Sequence, residues 1–133
     1  MEYPEWVERY GVGDASLDSY HHIFYQAVEQ MDAGAAIGDL SAAMERMAFL
    51  LMYCAMHFSE EEGVLHCAGY PDLEYHRSIH QRFHRRMMTL HAELERNPSP
   101  ALARQTVIET REWWINHIQK EDAKFTPYLK LEE

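Results

Sequence analysis

The sequence predicts an all-α fold, an antiparallel up-down-up-down four-helix bundle with an irregular N-terminal leader. Three observations predict it. Most of the glycines and prolines cluster at Gly11 and Gly13, Gly34 and Gly38, Gly69 to Pro71, and Pro98 to Pro100. Between these points lie four stretches rich in Ala, Leu, Met, Glu, Arg and His, whose apolar residues recur every three or four positions rather than every two. The connections between the stretches are short, which makes sequential helices antiparallel neighbours.

The leader, residues 1–17, is expected to pack Trp6 and Val12 across one end of the bundle. The first helix spans about 18–33, with Asp18 as N-cap and Leu17, His21, Phe24, Val28 and Met31 on one face. The second spans about 39–67, with an inner stripe of Met47, Leu50, Cys54, His57, Glu61 and Leu65. The third covers 71–96, opened by Pro71 at its first helical position. Its stripe runs Leu73, His76, His80, Phe83, Met87, Leu90 and Leu94. The fourth covers 100–122, with Ser99 as N-cap and Pro100 at N1, and carries Val107, Thr110, Trp114, His117 and Glu121, with Asp122 beside them. A tail, 123–133, adds a short helical turn around Phe125 to Leu129. One domain, 1–133, is expected, leaving no residues for a covalently linked signalling output.

The chain has 133 residues and a net charge of −10. That balance argues against a nucleic-acid partner, whose affinity rests on clustered Lys and Arg. No apolar run approaches the ~20 residues of a membrane span, and the N-terminus lacks the pattern of a signal peptide. Two cysteines, Cys54 and Cys67, do not make a secreted disulfide framework. A cytoplasmic protein without membrane insertion is expected.

Nine histidines are present, and they are not scattered. His21, His57, Glu61, His76, His80 and His117 each occupy a slot where the helical pattern asks for a hydrophobe. Burying that many ionisable groups unpaired is prohibitive, so the groups must be paired or bound to metal. His57 and Glu61, like His76 and His80, are i and i+4, about 40° apart on a helix. His117 and Asp122 are i and i+5, about 140° apart on an ideal helix, which calls for an Asp reaching sideways or a distorted helix. Five imidazoles and two carboxylates exceed what one ion can use. Two ions bridged by both carboxylates use all seven. Imidazole suits Zn, Cu, Fe and Ni, and carboxylate bridging favours iron or manganese; two irons are the expected cofactor. His22, His66, His84 and His91 fall outside the stripes and are expected to face solvent. Met31, Met44, Met47, Met52, Met56, Met87 and Met88 read as core filler, Cys54 as a small core residue, and Glu60 and Glu62 as solvated neighbours of Glu61. Phe49 and Tyr53 read as outer-face residues. Each feature alone has an ordinary reading: a lone His21 as a satisfied core residue, His57 with Glu61 as a surface ion pair. Seven together do not.

These motifs resemble the hemerythrin family, in particular its single-domain bacterial members. The resemblance rests on Trp6, Gly11-Val12-Gly13 and Asp18-Ser19-Tyr20-His21 near the N-terminus. It continues through His57-Phe58-Ser59-Glu60-Glu61-Glu62, Tyr70-Pro71, His76 to Phe83, Trp113 to Ile118, Asp122 and Tyr128-Leu129. It implies a non-haem di-iron site that binds O2 reversibly. His76, His80 and His117 would hold one iron, His21 and His57 the other, and Glu61 and Asp122 would bridge them. The iron with two imidazoles keeps an open position for O2, in a pocket near Trp114, Trp113, Phe58 and Tyr20. The chain departs from the family pattern at Tyr20, usually Gln; at His22, usually a basic residue; at Leu65, commonly Met; and at Trp114, usually a Leu lining the pocket. The expectation for Trp114 is that it narrows the pocket or swings to close an access path.

The function expected is O2 binding as a carrier, store or local supplier, not an enzyme. O2 is the partner, with an oxygen-consuming enzyme as recipient, and a monomer is favoured. A di-iron enzyme of the ferritin-like kind, or a centre for peroxide or NO chemistry, is the rival. Ferritin-like bundles use two Glu-x-x-His pairs, and the chain contains none. A partner-dependent O2 or redox sensor is a further alternative. A haem bundle leaves at least three inner histidines unexplained and lacks Cys-x-x-Cys-His.

Overall fold

The computed structural model describes residues 1–130. Its elements are α1 (Tyr3–Tyr10), α2 (Ala15–Ala36), α3 (Leu40–Cys67), α4 (Leu73–Arg96), α5 (Pro100–His117), a π-helical turn (Ile118–Asp122) and α6 (Ala123–Lys130). Helices α2 to α5 form the bundle in a closed ring, with α2 packed on both α3 and α5, and α4 packed on α3 and α5. Helix α1 lies on α2, while α6 lies against the π turn and α3.

The turns follow from sequence. Two helices end in Schellman motifs, each closed by a glycine in the left-handed region. At the end of α2, Gly38 has φ +75°; the Asp39 amide donates to Gly34 O (2.9 Å) and the Gly38 amide to Ala35 O (3.2 Å). At the end of α3, Gly69 has φ +71°, with Tyr70 donating to Leu65 O (3.0 Å) and Gly69 to His66 O (3.1 Å). Asp39 then caps α3 by accepting from Ala42 N–H at 3.0 Å, so one residue ends one helix and starts the next. Ser99 caps α5 through Leu102 N–H at 3.0 Å, ahead of Pro100.

Several boundaries differ from the sequence reading. The leader is not irregular: residues 3–10 form α1, with Pro4 and Glu5 in its first turn and Arg9 in its last. Eight residues are too few to hold a helix alone. Trp6, fully buried against Tyr10, His22 and Tyr25, supplies the packing. Val12 is also buried, so both leader residues expected to pack are taken into the core, Trp6 along the side of α2. The cap of α2 is Asp14, which accepts from Leu17 N–H at 2.9 Å. Asp18 is buried instead and ties down the leader by accepting from Val12 N–H at 2.8 Å. Pro71 lies in a turn two residues ahead of α4. The expected fourth helix is α5 followed by the π turn, and α6 extends the expected single turn to Ala123–Lys130. The end of the expected tail, 131–133, lies outside the described residues.

The core is built from Phe24, Met31, Met47, Leu50, Leu65, Met87, Leu90, Leu94, Val107, Trp114 and Phe125, all fully or almost fully buried. Met52, Met56 and Met88 are not core filler; each is about half exposed. Met52 and Met56 stand two residues after Leu50 and Cys54, some 200° around α3 from the buried stripe. Phe49 is half-buried, and Tyr53 is buried rather than outward. No helix among the described residues is long and apolar enough to cross a membrane.

Candidate metal centre

Every bundle helix contributes to one buried polar cluster. His21 comes from α2, His57 and Glu61 from α3, His76 and His80 from α4, His117 from the last residue of α5, and Asp122 from the end of the π turn. None of the seven is more than 5 % exposed. Donor atoms of Glu61, His76, His80, His117 and Asp122 lie within 4.8 Å of one another, as do those of His21, His57 and Glu61.

The carboxylates divide their oxygens between two groups of imidazoles. Glu61 Oε1 stands 2.7 Å from His76 Nε2 and 3.2 Å from His80 Nε2. Its Oε2 stands 3.1 Å from both His21 Nε2 and His57 Nε2. Asp122 Oδ1 lies 3.0 Å from His117 Nε2 and 3.2 Å from His76 Nε2, whereas Oδ2 lies 3.2 Å from His21 Nε2. All five imidazoles thus present Nε2 inward, three beside one pair of oxygens and two beside the other.

The π turn makes the Asp122 contacts. On a regular helix Asp122 points about 140° away from His117. Hydrogen bonding from i to i+5 widens the turn and brings residues five apart onto one side.

Four observations match a metal site. Both Asp122 oxygens are buried without a hydrogen bond of acceptable geometry, despite their short distances to three imidazoles. His80 Nε2 and His117 Nε2 face each other at 3.2 Å, an arrangement in which at most one can donate. Lone pairs aimed at a common point explain both facts. Adjacent ligands on an octahedral ion with bonds near 2.1 Å are about 3.0 Å apart, in line with the spacings above. Finally, His80 Nδ1 bonds Glu62 Oε2 at 2.9 Å, and Glu62 Oε1 accepts from Arg77 Nε at 2.9 Å. A carboxylate behind a ligating imidazole fixes its tautomer and direction.

The electrostatics are those of paired charge. Burial opposes ionisation of Glu61 and Asp122, but the surrounding imidazoles outweigh it and hold both carboxyls far below their usual range. Burial likewise disfavours charge on His21 and His76, yet Asp122 and Glu61 raise them to about 9 and about 10. Burial prevails at His57, which is lowered. The cluster holds cationic charge and supplies two anions.

Aromatic residues wall the cluster. Trp114 is stacked on Phe24 (3.6 Å, 16°), stands edge-on to His21 and His57, and donates its indole N–H to His21 O at 3.3 Å. Tyr20 lies 5.3 Å from His57 and 5.5 Å from Tyr53. Phe58 is flat against His80 (3.8 Å, 6°) and 5.8 Å from His57. Trp113 lies flat against His117 (4.4 Å, 11°), on the side with three imidazoles.

Outside the cluster, His66 is exposed, and His84 and His91 are half-buried. His22 does not face solvent: α1 covers it, with Nε2 2.7 Å from Met1 O and the ring against Trp6 and Tyr3. Cys54 is buried and its thiol is pushed up to about 12 by burial. Glu62, read as solvated, is the residue the sequence reading missed; its role depends on the register between α3 and α4, which spacing along α3 does not contain.

The profile of the family described as Hemerythrin HHE cation binding domain matches residues 12–129. A bacteriohemerythrin from Ralstonia nicotianae is 30 % identical over 94 % of this chain and 88 % of its own. A bacteriohemerythrin from Methylococcus capsulatus is 27 % identical over 90 % and 91 %, and a myohemerythrin from Theromyzon tessulatum 25 % over 94 % and 95 %. A crystal structure of wild-type hemerythrin superposes with a TM-score of 0.84 at 25 % identity, covering 92 % of this chain and 94 % of that one.

Proposed function

The chain belongs to the hemerythrin family, whose domain holds two irons and binds O2, and from that premise we propose that it is a reversible O2 carrier, store or local supplier. In this reading His76, His80 and His117 hold one iron, His21 and His57 the other, and Glu61 and Asp122 span the pair. The observation that carries it is the division of each carboxylate's two oxygens between the two imidazole groups. When bound, the iron pair supplies the electrons that O2 binding draws on.

The protein's part is geometry and exclusion. Fixed imidazoles and carboxylates on four packed helices resist rearrangement. The two-imidazole side has fewer donors and is where O2 is accommodated, walled by Trp114, Phe58 and Tyr20. Trp114, pinned by Phe24 stacking and by its bond to His21 O, narrows that space as a fixed wall rather than a swinging gate. Its 1 % exposure keeps water from the two-imidazole side.

A donor set of five imidazoles and two carboxylates stabilises the ferrous state better than a carboxylate-rich one, which favours binding over oxidation. Two free thiols, Cys54 and Cys67, suit a reducing compartment such as the cytoplasm. A turnover assay with hydrogen peroxide or ferrous iron tests the carrier reading. It predicts no sustained consumption of either; continuous turnover would assign an enzyme.

A further inference from the structure

Trp113 has no place in the O2 wall just described, and its surroundings suggest another role. Its ring lies flat against His117 and flat against Phe83 (3.6 Å, 7°). It is the one tryptophan that reaches the surface; Trp6 and Trp114 are buried. It opens onto a groove of about 280 Å³ between α4 and α5, bordered by Ile79, Arg82, Arg86, Leu90 and Glu109. A single ring therefore connects a surface groove to an imidazole of the metal cluster.

The charge of α4, whose Arg82 and Arg86 border that groove while Arg77 and Arg85 border the neighbouring one between α3 and α4, runs against the charge of the molecule. The chain is acidic, at −10, yet residues 75–92 of α4 contain Arg77, Arg82, Arg85 and Arg86 and no carboxylate. Arg77 pairs with Glu62 and Glu74, and Arg86 with Glu109. Arg82 and Arg85 are exposed and have no carboxylate partner among the described residues. His84 lies between them, half-buried. Glu112, exposed next to Trp113, is the nearest opposing charge along α5.

We infer that the α4 face around Arg82 and Arg85 is the docking surface for an acidic one-electron donor protein, and that Trp113 is the contact through which its electrons reach His117 and the iron pair. Charge complementarity selects the partner: carboxylates of an acidic donor meet the two exposed arginines, and local complementarity steers encounter even between molecules of like net charge. Each encounter oxidises the donor by one electron. Two encounters restore an oxidised iron pair to the diferrous state needed for O2 binding. No covalent bond forms or breaks. The inference rests on the di-iron reading above and supplies what a reversible carrier needs after accidental oxidation.

The test uses the iron-loaded, oxidised protein and flavodoxin as the acidic donor, in its reduced form for stopped-flow kinetics and oxidised for titration calorimetry. Net charge alone predicts that added salt speeds the reaction by screening repulsion. The proposal predicts that reduction slows, by about three- to tenfold, as salt rises through the range that screens exposed charges. Arg82→Glu with Arg85→Glu should reverse that slope and weaken binding, with iron content unchanged. Trp113→Leu should slow reduction at saturating donor while leaving the dissociation constant alone, and Trp113→Phe, which keeps a flat ring on His117, should retain most of the rate. A rate that rises with salt, or a double arginine variant that behaves as wild type, overturns the docking surface. A Trp113→Leu protein with full iron and an unchanged rate overturns the route. Calorimetry reads docking whether or not O2 binding is reversible, so failure of the carrier reading is distinguishable from failure of this one.

Discussion

His117 and Asp122 are five residues apart, yet His117 Nε2 and Asp122 Oδ1 stand 3.0 Å from each other. A π turn over Ile118–Asp122 makes this contact, and the cluster depends on it. Asp122 reaches both imidazole groups, as Glu61 does from α3. Asp122→Ala, Glu61→Ala and His57→Ala are therefore each expected to lose bound iron, falling from two per chain toward one or none. His84→Ala, outside the cluster, should keep both. Iron measured against protein concentration decides; equal iron in all four variants would remove the site as drawn.

Glu62 stands behind His80, a ligand in the proposed site. Its bonds to His80 Nδ1 and Arg77 hold the imidazole's direction. Glu62→Gln should weaken iron retention about 10- to 100-fold in chelator competition, while the exposed neighbour Glu60→Gln changes nothing. Identical retention in the two variants would mean that Glu62 is only a surface charge.

Trp114 fills the space beside His21 and His57. Trp114→Leu removes its stacking on Phe24 and its bond to His21 O, at a cost of about 2 kcal/mol or more in stability. The opened wall should speed O2 release and autoxidation, by about tenfold if the ring contributes about 1.4 kcal/mol to the barrier. Unchanged rates for both would sink the idea that Trp114 sets access.

The metal-free chain should show an inverted pH response. His21 and His76 have folded values raised to about 9 and about 10 from 6.5, against the burial that opposes their charge, by Asp122 and Glu61. A raised value contributes stability that is complete below the unfolded pKa and lost as pH climbs through the folded one. The melting temperature of the chelated protein should therefore fall as pH rises through the window from 6.5 to about 10. Glu61 and Asp122 are depressed, so their contribution is present above 4.5 and 3.8 and is lost as pH falls through their folded values. Iron-loaded protein behaves differently, because ligating imidazoles are neutral and acid drives the metal off. Calorimetry of the chelated chain that shows flat or rising stability toward pH 10 would contradict the pairing.

Much of the bundle was legible because its signals are local. Three-and-four spacing, Gly38 and Gly69 after helix ends, and Ser99 before Pro100 each act within a few residues. The polar cluster was legible for the same reason: a histidine in an apolar slot stands out without any partner. What escaped depends on tertiary contact. Trp6 turns an eight-residue leader into α1, and α1 in turn buries His22. Asp18 exchanges a capping role for the Val12 amide. Glu62 gains its role from α4. The i+5 spacing of His117 and Asp122 flagged a distorted helix, but only the folded chain shows the distortion to be a π turn.

The central claim is that the cluster holds two irons that bind O2 and let it go. The most direct measurement is iron per chain, followed by absorption spectra of the ferrous protein under argon, in air, and under argon again. Two irons with a charge-transfer band that develops in air and vanishes on deoxygenation are the predicted result. Two irons that oxidise once, with a band that does not reverse, would contradict the carrier and assign the centre to redox chemistry.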